Sequence, residues 1–405
     1  MEGRYYFRGL VGRDRPTIQN AHVKLKFQPM EDIISDPGHT PKCRVSTRAI
    51  GLNFADIFCL LGLYSAANEV RGDNYFCPGL EFSGVVIDDP TGTFQKEQRV
   101  LGFTRFGSYA DIVEVPPEFL YPLPSNWTFQ EGASFLVQSL TAWHGLVEIG
   151  RLPNGKESVV LIHSAAGGVG LWASEMAARR GAIVIGVIGS AGKQHVFEHR
   201  ILPLSPKSRI LIRGDEKTFG KRLAQLLSEV HGTTESLPSN QELQYLRDCE
   251  YGIDMVMESL GGQYFTDSFE AINPGGALVT FGSTSYVSPG LSINKLRLIW
   301  RYLTRPRLDP GVLVSRNIRL AGFNLIYLTE RTDDLRRELR DCIQCLSGNK
   351  NVQSLADFPP LDPVTPPVIG DVFDFRTKTI EALERLKSGK TVGKIVLDNA
   401  LNKAI

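Results

Sequence analysis

The clearest chemistry in the chain lies in three small residues at fixed spacing. In Ser158-Val-Val-Leu-Ile-His-Ser-Ala-Ala-Gly-Gly-Val-Gly170, residues Ala165, Gly167 and Gly170 fill the three slots of a G-x-G-x-x-G turn, with alanine in the first. Small residues there let the chain turn tightly, bring backbone up to a pyrophosphate, and pack a helix closely on a strand. The free N–H groups at the helix start then face the phosphates. The next apolar run, Ala182 to Ile188, is followed by Gly189-Ser-Ala-Gly-Lys193, and no acid stands between Ala182 and Phe197. An NAD site commonly places Asp or Glu there for the ribose 2′-OH. Ser190 and Lys193 would instead attract a 2′-phosphate, so the sequence predicts NADPH. Arg213 follows the third predicted strand; it either reaches the same phosphate, stacks on adenine, or is an exposed loop arginine.

Other chemistry-bearing patterns carry less. His195-Val-Phe-Glu-His199 has H-x-x-E-H spacing, but it lies just behind the predicted NADPH strand and has no third ligand. Ser83 and Ser164 lack a nucleophile elbow. His163 ends an apolar strand and reads as a core or turn histidine. Cys342 and Cys345 fall in a charged helical pattern, not at the head of a redox helix. The six cysteines form no disulfide framework.

These residues need positioning elements. Cys43 to Pro124 consists of short strands broken by Gly and Pro, the texture of a β-rich, barrel-like domain. Gln130 to Ile149 reads as a helix. From Glu157 strands alternate with helices, the strands falling near 158–163, 182–188, 209–212, 252–257, 276–281 and 317–323. This predicts a doubly wound parallel sheet of order 3-2-1-4-5-6. Ser228 to Gln244 reads as a polar surface insertion, and Gly348 to Gly370 as a Pro-rich loop. Arg376 to Lys387 is an amphipathic helix, and the strand Gly393 to Leu397 returns to the β-rich domain.

The 405 residues allow two or three domains, and a net charge of +1 gives no reason to expect nucleic acid. The first residues, Met1 to Tyr6, lack the apolar core of a signal peptide, and no run of about 18 apolar residues predicts a membrane span. The expected location is cytoplasmic.

Five motifs in order carry a family resemblance: Gly51-Leu-Asn-Phe-Ala-Asp56, Gly62-Leu-Tyr64, Pro78-Gly-Leu-Glu-Phe-Ser-Gly84, Leu140-Thr-Ala-Trp143 and Ala165-Ala-Gly-Gly-Val-Gly170. With Met257-Glu-Ser-Leu-Gly-Gly262 and Val392-Gly-Lys-Ile-Val396, they resemble the zinc-free quinone oxidoreductase branch of the medium-chain dehydrogenase/reductase superfamily. The stretch Leu296 to Tyr327 looks most like the VAT-1 group of synaptic-vesicle membrane protein homologues. The resemblance implies an α/β protein. A GroES-like catalytic domain would be built from residues 1–138 and 326–405, around a Rossmann NADPH-binding domain at 139–325. It also implies a homodimer. Zinc-dependent relatives carry a Cys ligand near the position of Asn53 to Phe54; here there is none, and Cys59 is shifted with no His nearby.

By the same resemblance Asn53 and Thr141 lie at the nicotinamide. Ala166, Gly167, Gly168 and Val169 bind pyrophosphate. Ser259, Phe281 and Gly282 line the cofactor, Gly282 allowing close backbone approach. Phe323, Asn324 and Lys394 close over nicotinamide and phosphates. Tyr64 is the expected proton donor or carbonyl-orienting group, because a phenol can donate to a developing oxyanion. The implied reaction is hydride transfer from NADPH to a small quinone or α,β-unsaturated carbonyl, without metal.

One stretch suggests a different role. Ile293 to Arg307 interleaves Lys295, Arg297, Arg301, Arg305 and Arg307 with Leu296, Leu298, Ile299, Trp300, Tyr302 and Leu303. It would either lie on an anionic membrane surface or cover the cleft or a dimer contact with its basic residues solvated. The first reading supports an alternative function, a VAT-1-like peripheral membrane or lipid-binding protein with vestigial reductase activity.

Overall fold

The short strands β1 (Gly3–Tyr6) and β2 (Lys26–Pro29) pair antiparallel. The computed structural model describes residues 3–6, 26–29, 41–70, 76–155, 157–233, 242–284, 295–348 and 361–399. Most of the turn-rich link 35–41, the centre of the 228–244 insertion, most of the 348–370 loop and residues 285–294 lie outside these.

The β-rich half is built on β3 (Cys43–Gly51), whose alternating burial suits a sheet with one covered face. Helices α1 (Phe54–Leu60) and α2 (Ser65–Val70) follow. Strands β4 (Glu81–Asp88), β5 (Arg99–Phe103), β6 (Ile112–Val115) and β7 (Leu120–Pro122) continue the sheet. The expected helix over 130–149 is broken into α3 (Phe129–Gly132), α4 (Leu136–Trp143) and a wider π turn, His144–Ile149. A capping box starts α3, with Thr128 and Glu131 satisfying each other's backbone N–H. The wide turn presses Gly145 and Gly150 onto Met257 and Met255, where a β-carbon would lie 2.5 and 2.0 Å from the methionine Cε atoms.

The parallel sheet begins with β8 (Val159–His163), followed by α5 (Gly168–Arg179), β9 (Ile183–Ile188), α6 (Gln194–Ile201) and β10 (Arg209–Ile212). After α7 (Glu216–His231) and α8 (Glu242–Asp248) come β11 (Ile253–Glu258), α9 (Gly262–Glu270) and β12 (Ile272–Thr280). Helices α10 (Lys295–Leu303) and α11 (Pro310–Ser315) precede β13 (Arg319–Gly322). The strand order is β10-β9-β8-β11-β12-β13, all parallel. This is the predicted 3-2-1-4-5-6 arrangement, and it places the switch point beside β8. Successive residues of β8 point to opposite faces. Val159 and Leu161 pack with Phe219 and Phe269, while Val160 and Ile162 pack with Trp172, Met176 and Leu339.

Helix α12 (Thr332–Ser347) lies against α4 and α5, so it belongs to the parallel-sheet side. The return to the antiparallel sheet is made by β14 (Ile369–Asp374), α13 (Thr379–Lys387) and β15 (Lys394–Asp398). There β15 pairs antiparallel with β3, giving the order β14-β15-β3-β4-β5-β7 with β6 on β3.

Candidate cofactor and substrate site

The turn after β8 is closed by the Gly167 N–H donating to Ser164 O at 2.8 Å, with Ser164 at φ 55°. Helix α5 starts at Gly168 without a side-chain cap, leaving the Gly168, Val169 and Gly170 N–H groups for a ligand. A β-carbon at Gly170 would sit 2.2 Å from Ser164 O, so only glycine permits this helix–strand approach. The turn is also held from outside. The Gly393 N–H donates to Ala166 O at 2.8 Å, which ties the start of β15 to it.

Asn53, Glu81, Gln138 and Lys394 form one buried polar cluster beside that turn. The Lys394 ammonium donates to Glu81 Oε1 at 2.5 Å and to Asn53 Oδ1 at 2.9 Å. Asn53 Nδ2 donates to Glu81 Oε1 at 3.0 Å and Gly51 O at 3.2 Å. Gln138 Nε2 donates to Asn53 Oδ1 at 2.8 Å and Glu81 Oε1 at 3.2 Å. The Gln138 carbonyl oxygen covers Gly168, where a β-carbon would be 1.7 Å from it. Burial lowers the Lys394 pKa, with Glu81 opposing. Asp56 fixes the start of α1 by accepting from Asn53 N–H at 2.8 Å and from the Tyr109 hydroxyl at 3.1 Å, and burial raises its pKa to about 6.

A cleft of about 360 Å³ runs from this cluster along the glycine turn to the ends of β9 and β10. It brings together Ala166, Gly167, Gly168, Val169, Lys193, Arg213 and Lys394, all expected at the cofactor. Lys193 and Arg213 converge. A β-carbon at Gly189 would lie 3.9 Å from Lys193 Nζ and 3.8 Å from an Arg213 Nη. Burial and then the Arg213 and Arg385 charges lower the Lys193 pKa, and Lys193 Nζ donates to Gly389 O at 2.7 Å. Ser190 is exposed, outside the cleft lining, at the head of the turn Ala191–Lys193. His163 also lines the cleft, fully buried; its Nε2 meets Ser268 Oγ at 2.9 Å, its Nδ1 has no partner among the described residues, and burial pushes its pKa down to about 3.

A second cavity of about 510 Å³ opens beyond Asn53 and shares Val169, Ser259 and Phe281 with the first. Tyr64, Thr141, Gly282, Phe323 and Asn324 are on its wall. Tyr64 donates its phenolic proton to Asn324 Oδ1 at 2.7 Å. The Phe323 ring is held edge-on by His144 at 4.8 Å. Ser259 Oγ meets Ser164 Oγ at 3.2 Å. A β-carbon at Gly282 would meet Ser259 O at 3.6 Å, so the protein's own packing does not demand glycine there.

Glu81, Gln138, Lys387 and Glu258 were not singled out from sequence. Glu81 and Gln138 carried a signal, a charge and an amide inside apolar runs, which must find partners when buried. Glu258 accepts the Leu260 and Gly261 N–H groups and so shapes the turn into α9. Lys387 ends α13 like any helix-terminal lysine.

The two-sheet architecture is shared with known proteins. A model of the zinc-binding dehydrogenase family matches residues 236–397. Over that stretch the chain is similar to the zinc-binding dehydrogenases of the medium-chain dehydrogenase/reductase superfamily. Among curated relatives, the synaptic vesicle membrane protein VAT-1 homolog of Rattus norvegicus is 25% identical over 377 residues, covering 93% of this chain and 80% of that one. Among solved structures, a Pseudomonas syringae quinone oxidoreductase superposes with TM-score 0.68 at 20% identity, covering 98% of this chain and 100% of that one. A mycobacterial protein solved in complex with NADPH gives TM-score 0.66, also at 20% identity, with 98% and 100% covered. The fold is thus shared with oxidoreductases, and with a protein solved with NADPH bound. The family's zinc does not fit the residues present. Near Asn53, where the resemblance would place a ligand, the Lys394 ammonium lies 2.9 Å from the Asn53 oxygen and would repel a dication. Cys59 is buried against Phe76 and Ala67, and no metal-holding group of His, Cys, Asp or Glu occurs among the described residues.

Proposed function

We propose that the protein is an NADPH-dependent, metal-free reductase of neutral quinones or α,β-unsaturated carbonyl compounds. One observation carries the cofactor reading. The cleft wall holds Lys193, Arg213, Lys387 and Lys394 and, among the described residues, no carboxylate. With Lys394 paired to Glu81, Lys193 and Arg213 remain as the cations that meet beside Gly189, where a 2′-phosphate would gain charge-assisted hydrogen bonds and a bare ribose would not. The NADPH-bound relative of the same fold supports the reading. When bound, the reduced nicotinamide supplies hydride. The chain supplies orientation through Asn53, Thr141 and Phe323, and a cavity whose described lining holds no charged side chain. Titration with NADPH and NADH by tryptophan fluorescence tests this: NADPH binds more tightly, and Lys193→Ala lowers its affinity roughly tenfold or more while leaving NADH unchanged. Equal affinity for the two cofactors would end the reading.

A second reading has its own observation. On α10, Trp300, Tyr302 and Leu303 are 66%, 56% and 59% exposed, with Arg305 stacked on Tyr302 at 3.9 Å. Such a surface suits peripheral contact with an anionic membrane. Strong co-flotation with anionic liposomes, together with no NADPH oxidation across quinones and enones, would favour it over the reductase.

A further inference from the structure

The cavity beyond Asn53 is lined by many polar side chains, and most of their protons are already committed, the Ser283 and Thr284 hydroxyls excepted; these are single rotating donors with nothing among the described residues to aim them into the cavity. Thr104 donates to Phe106 O, Thr141 to Val137 O, Thr329 to Ile326 O, and Thr280 to Glu258. Asn53 Nδ2 serves Glu81 and Gly51, and the Ser259 hydroxyl is shared with Ser164. Tyr64 has a single proton, and it goes to Asn324 Oδ1 at 2.7 Å. Burial raises the phenol pKa, so Tyr64 remains a donor throughout the neutral range. That bond fixes which way the Asn324 amide faces, because a phenolic proton selects the oxygen. The amide Nδ2, with two protons, has no partner among the described residues and belongs to a side chain on the cavity wall.

We propose that Asn324 is the catalytic hydrogen-bond donor to the substrate's carbonyl oxygen, and that Tyr64 is the positioning residue that orients its amide. This rests on the reductase reading above. In that reaction a hydride, carrying its electron pair, adds to the β-carbon of the acceptor as the reduced nicotinamide is oxidised. The C=C electron pair moves to form an enolate, and negative charge builds on the oxygen. The Asn324 N–H groups stabilise that charge and keep their protons; water supplies the proton that completes the α-carbon. An uncharged donor in a cavity with no charged side chain among its described lining selects neutral carbonyl compounds over carboxylates and phosphates.

The test compares Asn324→Asp, which keeps an acceptor for Tyr64 but removes the donor, with Tyr64→Phe, which keeps the donor but frees the amide to rotate. Asn324→Asp should lower kcat/KM for an enone about 100-fold or more, mostly in kcat, and Tyr64→Phe only about 3- to 10-fold. A readout without turnover is the binding of a saturated cyclic ketone against the hydrocarbon of the same shape, with and without NADP⁺. The wild type should prefer the ketone about 5-fold, Asn324→Asp should lose that preference, and retained hydrocarbon binding shows that the cavity is intact. Tyr64→Phe falling as far as Asn324→Asp, or ketone preference surviving in Asn324→Asp, overturns the proposal. NADPH affinity is measured on each variant. If the wild type binds no NADPH, the reductase reading fails, while the ketone preference still decides the role of Asn324.

Discussion

Replacing Lys394 by methionine tests the buried cluster most directly. Glu81 and Lys394 are 1% and 3% exposed, and their charges meet at 2.5 Å. Removing the ammonium strands a carboxylate away from water, a change that costs about 3–5 kcal/mol at comparable sites. Glu81 keeps three donors in the variant: Asn53 Nδ2, Gln138 Nε2 and the Val137 N–H. These partly solvate it, so the expected loss is about 3 kcal/mol. Adding Glu81→Gln removes the stranded charge and should recover roughly 2 kcal/mol of it, giving a coupling well above the 0–1 kcal/mol of surface pairs. Urea denaturation followed by tryptophan fluorescence and circular dichroism measures both variants. The difference should persist at high salt, because a buried pair is weakly screened. A loss under about 1 kcal/mol for Lys394→Met, or a double variant no more stable than the single, would refute the view that burial controls this pair.

Three further outcomes rest on buried groups and close contacts elsewhere in the fold. Burial raises the Asp56 pKa to about 6 against an ordinary 3.8, so its contribution is fully present below about pH 4 and is lost as pH rises through 6. Wild-type stability relative to Asp56→Asn should therefore fall by about 3 kcal/mol between those limits, read from denaturation curves at several pH values; parallel profiles would contradict this. Gly170→Ala drives a methyl group to 2.2 Å from Ser164 O and 2.7 Å from Ala165 Cα, and should cost about 1–3 kcal/mol while weakening nucleotide binding in the same titrations. Phe219→Ala should cost about 3–5 kcal/mol and Trp300→Ala less than about 0.5 kcal/mol by urea denaturation, because the first ring is fully buried and the second is 66% exposed.

The parallel sheet was readable because its signals are local. Each strand is an apolar run bounded by turns, and the alternation of strands and helices limits the connections to few topologies. The glycine turn was readable for the same reason, since steric need and phosphate contact fall within one short segment. The start of the 130–149 stretch had a local mark, Thr128 and Glu131 at capping-box spacing, but the break between Gly132 and Leu136 had none, because the apolar pattern across it resembles one helix. The polar cluster was not readable as a cluster. Glu81 and Lys394 are 313 residues apart, and neither announces its partner. Tyr64 stood out for its phenol, but the residue that takes its proton lies 260 positions away. Side-chain commitments of this kind belong to packing, not to pattern.

The tie between Gly393 and Ala166 makes the cleft and the last β pairing one cooperative unit. Strand β15 holds β3 on one side and the glycine turn at its start, and Lys394 reaches Asn53 across 341 positions. An opening that releases β15 would therefore free the turn and the polar cluster together. Any ligand that fills the cleft must oppose that opening by mass action, and amide hydrogens of β15 and β3, far from the ligand in sequence, should exchange more slowly when it binds. Occupancy of the site would be recorded in the exchange rates of a strand pair on the opposite sheet.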